Sequence, residues 1–395
     1  MKELSSGVTA ARGFSASGLA CGIKKNSLPD LALVFSELPA TAAGVFTTNK
    51  VKAAPVIISS ERIKGATARA VVINSGNANA CVGAEGLSAA LAISQSIAEG
   101  LMIKPEEVLI ASTGVIGVPL PADRVIGAIP SLVRDLSTTG GGAAARAIMT
   151  TDTYAKEWAV ELKSGIRIGG MAKGSGMIQP NMATLLSVIT TDALLDQDIL
   201  QDLLGKAVKK TFNRITVDGD TSTNDSVFLL ANGASGKPTL TTEEEVQEFF
   251  EGLYQVCLHL AQMLARDGEG ATKFITVRVC GAGSEMEAET AARAVANSNL
   301  VKTAFFGEDA NWGRIITAVG YSGITFTPEQ IEISLGDLVV YSGEGLPFDE
   351  EKAGQILGEK EIEVNINLNQ GEAEAMIWTC DLSYDYVKIN GSYRT

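Results

Sequence analysis

Apolar residues in the first half of the chain come in short unbroken runs separated by glycine- and alanine-rich turns. AVVINSG (70–76) and EVLIAS (107–112) read as strands buried on both faces and closing in small polar residues. Between them, GLSAALAISQSIAEGL (86–101) carries its apolar positions at helical spacing, and the strand, helix, strand order predicts α/β construction. Folds of that class place chemistry in the loops that follow strand ends. LLSVI (185–189) predicts a further buried strand, beginning directly after Thr184. In the second half, DQDILQDLLGKAVKKTF (196–212) predicts a helix. Thr242 and Glu245 form a Thr-x-x-Glu capping box at the head of another, which runs through FFEGLYQVCLHLAQML. EIEVNINLNQGEAEAMIWTCDL (361–382) alternates apolar and polar positions around Asn-Gln-Gly, a hairpin signal. No repeat, low-complexity stretch or long linker marks a domain boundary.

With 395 residues, 46% hydrophobic and 20% charged, the chain can bury a large core and lacks the signature of disorder. Its net charge of −14 carries no compensating basic block, so nucleic acid is not an expected partner. There is no apolar signal core in MKELSSGVTAARGF and no run of about 18 apolar residues, so no membrane partner is expected and the cytosol is the expected location. Five scattered cysteines (Cys21, Cys81, Cys257, Cys280, Cys380) have no CxxC spacing; they predict buried free thiols and no metal site.

The single histidine, His259, lies inside a helical pattern, which leaves no conventional base for a Ser-His-Asp triad. Cys257 beside it points to a different helix face. Gly165, Gly169, Gly170, Gly174 and Gly176 are close together, yet no GxxxxGK[ST] occurs. DGDTSTND (218–225) lacks the spacing and glutamate of a calcium loop and reads as a polar loop. KGSGMIQPNMATLLSVITTDA (173–193) is more informative, because a glycine-rich loop holding Pro180 delivers Thr184 to the head of a buried strand. A threonine hydroxyl is a weak nucleophile, but cleavage between Ala183 and Thr184 would free an α-amine with a pKa of about 7.7–8.0 to act as its base. An ordinary threonine in a loop entering a core strand fits the same residues. In ASTGVIG (111–117) a strand that breaks at Ser-Thr-Gly would offer a hydroxyl and N–H groups to an oxyanion, or would be only a strand-end turn.

These stretches resemble the ornithine acetyltransferase family, the bifunctional glutamate N-acetyltransferases of arginine biosynthesis. The resemblance extends through GVTAARGFSASGLACGIKK (7–25), GVFTTNKVKAAPV (44–56), NSGNANACVG (74–83), STGVIG (112–117), MTTDT (149–153), TVDGDTSTND (216–225), DGEGATK (267–273), GEDANWGRI (307–315) and YVKINGSYRT (386–395), almost the whole chain. It implies a layered α/β sandwich with mixed sheets that cleaves itself into an α fragment (1–183) and a β fragment (184–395), associated as a heterotetramer of two each. It implies Thr184 as nucleophile and Thr113 and Gly114 as the oxyanion hole, with Thr150, Lys173, Thr184, Glu269, Asn390 and Thr395 holding substrate. The expected reaction moves acetyl from N-acetylornithine to glutamate through acetyl-Thr184, with no bound cofactor and acetyl-CoA as a possible co-substrate. Charge supports two of the contacts, since Lys173 suits the substrate carboxylate and Glu269 the ornithine ammonium; Asn74, Asn77 and Asn79 are further candidates to line the pocket. Two rivals predict different outcomes: a self-processing amidohydrolase or aminopeptidase would release the acyl group to water, and a non-enzymatic scaffold would stay a single intact chain.

Overall fold

The computed structural model describes residues 1–179 and 185–392. These form two compact units, the first built from Met1–Asn213 and Asp220–Leu264, the second from Arg214–Gly219 and residues 265–392. The chain enters the second unit after Asn213, returns to the first at Asp220, and crosses again inside the helix Glu243–Arg266. The last of these crossings falls within a regular helix, where it leaves no compositional trace.

Among the described residues the first unit holds a nine-stranded mixed sheet: β1 (Lys2–Leu4), β2 (Phe14–Leu19), β3 (Leu31–Phe46), β4 (Thr67–Asn77), β5 (Val108–Val115), β6 (Lys156–Glu161), β7 (Arg167–Lys173), β8 (Leu186–Thr191) and β9 (Ser226–Ala231). Their spatial order is β1-β6-β7-β8-β9-β3-β4-β5, with β2 on the N-terminal half of β3. The pairs β4–β5 and β8–β9 are parallel and the others antiparallel.

Strand β4 shows why its run is continuously apolar. Ala70 and Val72 face a core with Ile93, Ile97, Ile129 and Leu132 from the helices Gly83–Leu101 and Ala122–Arg134, whereas Val71 and Ile73 face a second core with Ala144, Ile148, Phe228 and Leu230. Two-sided burial removes the polar half of the strand alternation. Across β7, Gly170 admits the long helix: a Cβ there would lie 3.0 Å from Leu260 Cδ1. That helix begins at the expected capping box, with Glu245 N–H donating to Thr242 Oγ1 (3.3 Å) and Thr242 N–H to Glu245 Oε2 (3.2 Å).

The second unit holds, among the described residues, five strands: β10 (Phe274–Ala282), β11 (Glu332–Leu335), β12 (Leu338–Ser342), β13 (Glu361–Asn367) and β14 (Ala373–Cys380), in the order β12-β11-β13-β10-β14. Ile275, Val277 and Val279 of β10 pack on Ala288, Ala291, Ala292 and Val295 of the helix Glu285–Ala296. Here the hairpin expectation for 361–382 fails. Both strands form, but β10 lies between them, parallel to β13 and antiparallel to β14. The connection crosses the end of β10, where Leu368 N–H donates to Cys280 O (2.9 Å) and Gln370 N–H to Gly281 O (2.7 Å). Alternation fixes which side chains face inward but not which strand lies alongside, and residues 368–372 are long enough to cross the roughly 10 Å of two strand spacings.

Candidate active site

In the first unit the site grows from the parallel pair β4–β5. Gly76 and Gly114 are register partners, and the ladder then shifts at a bulge on Asn77. Gly114 has φ +132°, and a Cβ on it would fall 2.3 Å from Gly76 C and 2.5 Å from Asn77 N, so only glycine fits. The expected break of β5 at Ser112–Gly114 does not occur. The strand continues to Val115 because β4 runs on beside it to Asn77, and the bend follows at 116–118.

Polar side chains brace this strand end. Ser112 Oγ donates to Asn74 Oδ1 (2.6 Å), Asn74 Nδ2 to Asn77 O (2.8 Å), Asn77 Nδ2 to Val118 O (3.0 Å) and Asn79 Nδ2 to Gly86 O (2.9 Å). All three asparagines are buried. Their amide nitrogens are thus occupied by the fold and brace the loop, while among the described residues Asn79 Oδ1 is buried with no hydrogen-bond partner, and Asn74 and Asn79 line a small internal cavity with Ser112. Asn224 adds a crosslink, donating to Ala78 O (2.5 Å) and Ser112 O (2.8 Å). Its neighbours Asp220 and Thr221 hold Gln179 through Gln179 N–H to Asp220 O (2.9 Å) and Thr221 Oγ1 to Gln179 O (3.0 Å). Residues 220–225 therefore act as a polar clamp on strand ends. Among the described residues no His, Cys, Asp and Glu cluster is arranged to hold a metal ion.

Lys173, buried at the end of β7, donates from Nζ to Thr113 Oγ1 at 3.3 Å. It is also the register partner of Leu186, the first residue of β8. Thr184 and Ala183, two and three positions before Leu186 in the chain, lie outside the described residues, as do Pro180 and Thr395. Thr150 enters through its backbone: its N–H donates to Asp152 Oδ2 (2.9 Å). The other oxygen, Oδ1, accepts from Lys156 Nζ (2.7 Å) and from Gly174 N–H (2.7 Å), and the Asp152 and Lys156 side chains are wholly buried. Burial alone would raise the Asp152 carboxyl, but Lys173, Lys156 and the N–H donors outweigh it and hold it below the ordinary aspartate range.

Asp152 and Lys156 were not singled out from sequence. Their spacing of four mimics a helical pair, whereas Lys156 opens a strand. Lys24 was also missed. Its ammonium donates to Pro29 O (2.8 Å) and Met149 O (2.6 Å), and burial, with Lys173 adding repulsion, lowers its pKa to about 8.

In the second unit the structure brings Glu269 and Asn390 together. Glu269, buried, accepts from Asn390 Nδ2 at 2.7 Å; the same amide donates to Tyr386 O (3.0 Å), one turn back on the helix Tyr384–Ser392. Gly270 closes the loop, with φ +70° and a Cβ position only 2.6 Å from Tyr386 N. That contact turns a near-terminal asparagine into a fixed group.

The remaining candidates take structural places. His259 stacks on Trp158 at 4.0 Å, with Nδ1 2.8 Å from Gln255 O. Cysteines are free; Cys257 and Cys380 are buried, Cys21 and Cys280 half-buried, and Cys81 exposed, so the expectation of buried thiols fails at Cys81. Burial pushes the thiols of Cys21, Cys257, Cys280 and Cys380 up, away from thiolate chemistry. Among the described residues no helix is long and apolar enough to cross a membrane.

Known proteins give this geometry a context. The chain is 53% identical to the arginine biosynthesis bifunctional protein ArgJ of Symbiobacterium thermophilum and 50% identical to that of Caldanaerobacter subterraneus subsp. tengcongensis, in both cases over 100% of each chain. A crystal structure of the Bacillus halodurans arginine biosynthesis bifunctional protein ArgJ is similar at 46% identity and a TM-score of 0.50, covering 97% of that chain and 52% of this one. The ArgJ family profile matches residues 15–395, and the chain belongs to the ArgJ family.

Proposed function

We propose that the protein transfers acetyl from N-acetylornithine to glutamate through an ester on Thr184, after cutting itself between Ala183 and Thr184. The observation that carries this reading is the Lys173–Thr113 contact at the glycine-forced end of β5, with Leu186, two residues past Thr184, as the register partner of Lys173. A hydroxyl has one proton and two lone pairs. Lys173 occupies a lone pair of Thr113, and among the described residues the Thr113 proton has no acceptor, so it is available to an oxyanion.

In maturation, Thr184 Oγ attacks the Ala183 carbonyl, the peptide C–N bond breaks, and water hydrolyses the resulting ester, leaving an Ala183 carboxylate and a free Thr184 α-amine. In turnover, that amine takes the Thr184 hydroxyl proton as Oγ attacks the acetyl carbon. The Thr113 hydroxyl and the Gly114 N–H steady the tetrahedral oxyanion. Collapse breaks the amide C–N bond and returns the proton to the leaving ornithine nitrogen. The α-amine of glutamate then attacks the acetyl-Thr184 ester, giving N-acetylglutamate and the free hydroxyl. Lys173 pairs with the substrate carboxylate and Glu269 with the ornithine ammonium; Thr150, Asn390 and Thr395 supply polar contacts. No bound cofactor takes part. Acetyl-CoA serves as an alternative donor, a reading supported by relatives named bifunctional.

Two further findings support the cleaved form. The Bacillus halodurans chain corresponds along nearly its whole length to about half of this one, as one fragment would. β8 and β9, from the later fragment, sit between β7 and β3 of the earlier one, so cutting the connection leaves the fragments interlocked. Assembly as a heterotetramer of two each and a cytoplasmic location complete the proposal.

An acetyl-transfer assay tests it: N-acetylornithine plus glutamate should yield equimolar ornithine and N-acetylglutamate with ping-pong kinetics. Acetate released at the same rate without glutamate would contradict it. Acetyl-CoA with glutamate alone should also give N-acetylglutamate, and no product there would remove the second donor.

A further inference from the structure

Lys24 is absent from the contacts that the family motifs assign, yet the fold carries it to the neighbourhood of Gly114 and Thr150. The wholly buried Asp30 carboxylate accepts four backbone N–H groups, from Cys21 (2.6 Å), Gly22 (3.1 Å), Ile23 (2.6 Å) and Lys24 (2.9 Å). The 21–24 turn is thereby wrapped around one charge, and the direction in which the Lys24 side chain departs is fixed. Its stem lies over Gly76, where a Cβ would meet Lys24 Cγ at 3.0 Å, and Gly76 is the register partner of Gly114. Beyond Gly76 the ammonium reaches Pro29 O and Met149 O, the latter one residue before Thr150.

We propose that Lys24 is a positioning residue for acetyl transfer: with its stem against Gly76 and its ammonium on the Met149 carbonyl, it holds the Thr150 turn in place relative to the Thr113–Gly114 strand end. This rests on the acetyl-transfer reading of the site. The bonds to carbonyl oxygens are charge-assisted, about twice as strong as those of a neutral amine, so the clasp depends on the proton. The charged groups acting on it are Asp30 on its own turn, Asp152 beyond Met149, and Lys173 at the end of β7; burial outweighs the two carboxylates and brings its pKa to about 8. The ammonium is therefore intact below that pH and lost as pH rises through it.

Lys24→Met keeps an unbranched stem over Gly76 and removes the ammonium; Lys24→Arg keeps a cation at every working pH. Each is purified, scored for self-cleavage by mass, and assayed for acetylglutamate formation from about pH 6.5 to 9.5. The expected result is normal cleavage in both and kcat/KM lowered about 10- to 100-fold in Lys24→Met, with partial rescue in Lys24→Arg. The decline of wild-type kcat/KM above about pH 8 should be absent from Lys24→Arg. Wild-type kcat/KM in Lys24→Met, or the same alkaline decline in Lys24→Arg, would overturn the proposal; should Lys24→Met fail to fold, the pH profile of Lys24→Arg alone decides. A wild-type protein that is cleaved but makes no acetylglutamate would overturn the acetyl-transfer reading and this inference with it, whereas normal wild-type transfer with indifferent Lys24 variants would overturn only the latter.

Discussion

Thr113 and Asp152 sit on opposite sides of Lys173's chemistry, the one accepting its hydrogen bond and the other balancing its charge. If Thr113 supplies the oxyanion donor, Thr113→Ala should lower kcat about 100-fold with little change in self-association of the fragments, and Thr113→Ser should restore most of the rate. Unchanged turnover in Thr113→Ala would return this residue to a strand-end role. Asp152 makes a prediction about stability. Its loss takes the Asp152 ion pair from a fully buried Lys156, so Asp152→Asn should destabilise the fold by about 3–5 kcal/mol, read as a lowered melting temperature. The sign with pH follows from the depressed carboxyl. Its contribution is fully present above the unfolded aspartate pKa of about 3.9 and is lost as pH falls below it, so the gap between wild type and Asp152→Asn should narrow in acid. Motif reading named Thr113 and Lys173, and the structure brings them into contact. It could not name Asp152, Lys156 or Lys24, because their roles depend on burial and on backbone carbonyls, neither of which a residue type declares.

At the scale of elements, glycine at 114 is required by the approach of two parallel strands. Gly114→Ala should cost at least about 1–3 kcal/mol from backbone conformation alone, with the collision against Gly76 added. Gly205 provides the contrast: it lies in the helix Gln197–Lys210 with nothing within 4 Å of a Cβ, so Gly205→Ala should stabilise by about 0.5–1 kcal/mol. Comparing the two melting temperatures checks both statements. Buried runs, helical periodicities and the Thr242 capping box all declared their elements, since each depends on local geometry. Pairing did not. The alternation in 361–382 specified two strands correctly, but β10, about 80 residues earlier, separates them, and no local pattern reports on a third strand. The same gap explains β5, whose glycines suggested a break where the neighbouring β4 in fact sustains the strand.

On the scale of the whole molecule, the connection between β7 and β8 contains the proposed cut, and β8–β9 is the parallel pair inserted between β7 and β3. Val188, Ile189, Leu229 and Leu230 are fully buried in it, so release of the later fragment would expose core. The fragments should therefore co-migrate under native conditions and separate only when the fold is lost. The proposed cut falls within the sequence of the first unit, in the glycine-rich stretch 173–193, whereas the last passage between units lies within a helix and has no compositional marker; the Thr184 reading rests on the chemistry of that stretch and on the family resemblance. The most direct measurement is the intact mass of the purified protein under denaturing conditions, alongside Thr184→Ala. Two species meeting at Ala183 and Thr184 in the wild type, with one uncut and inactive chain in the variant, is the predicted result. A single full-length wild-type mass in protein that nevertheless transfers acetyl, or a cleaved and active variant, would contradict the N-terminal threonine mechanism.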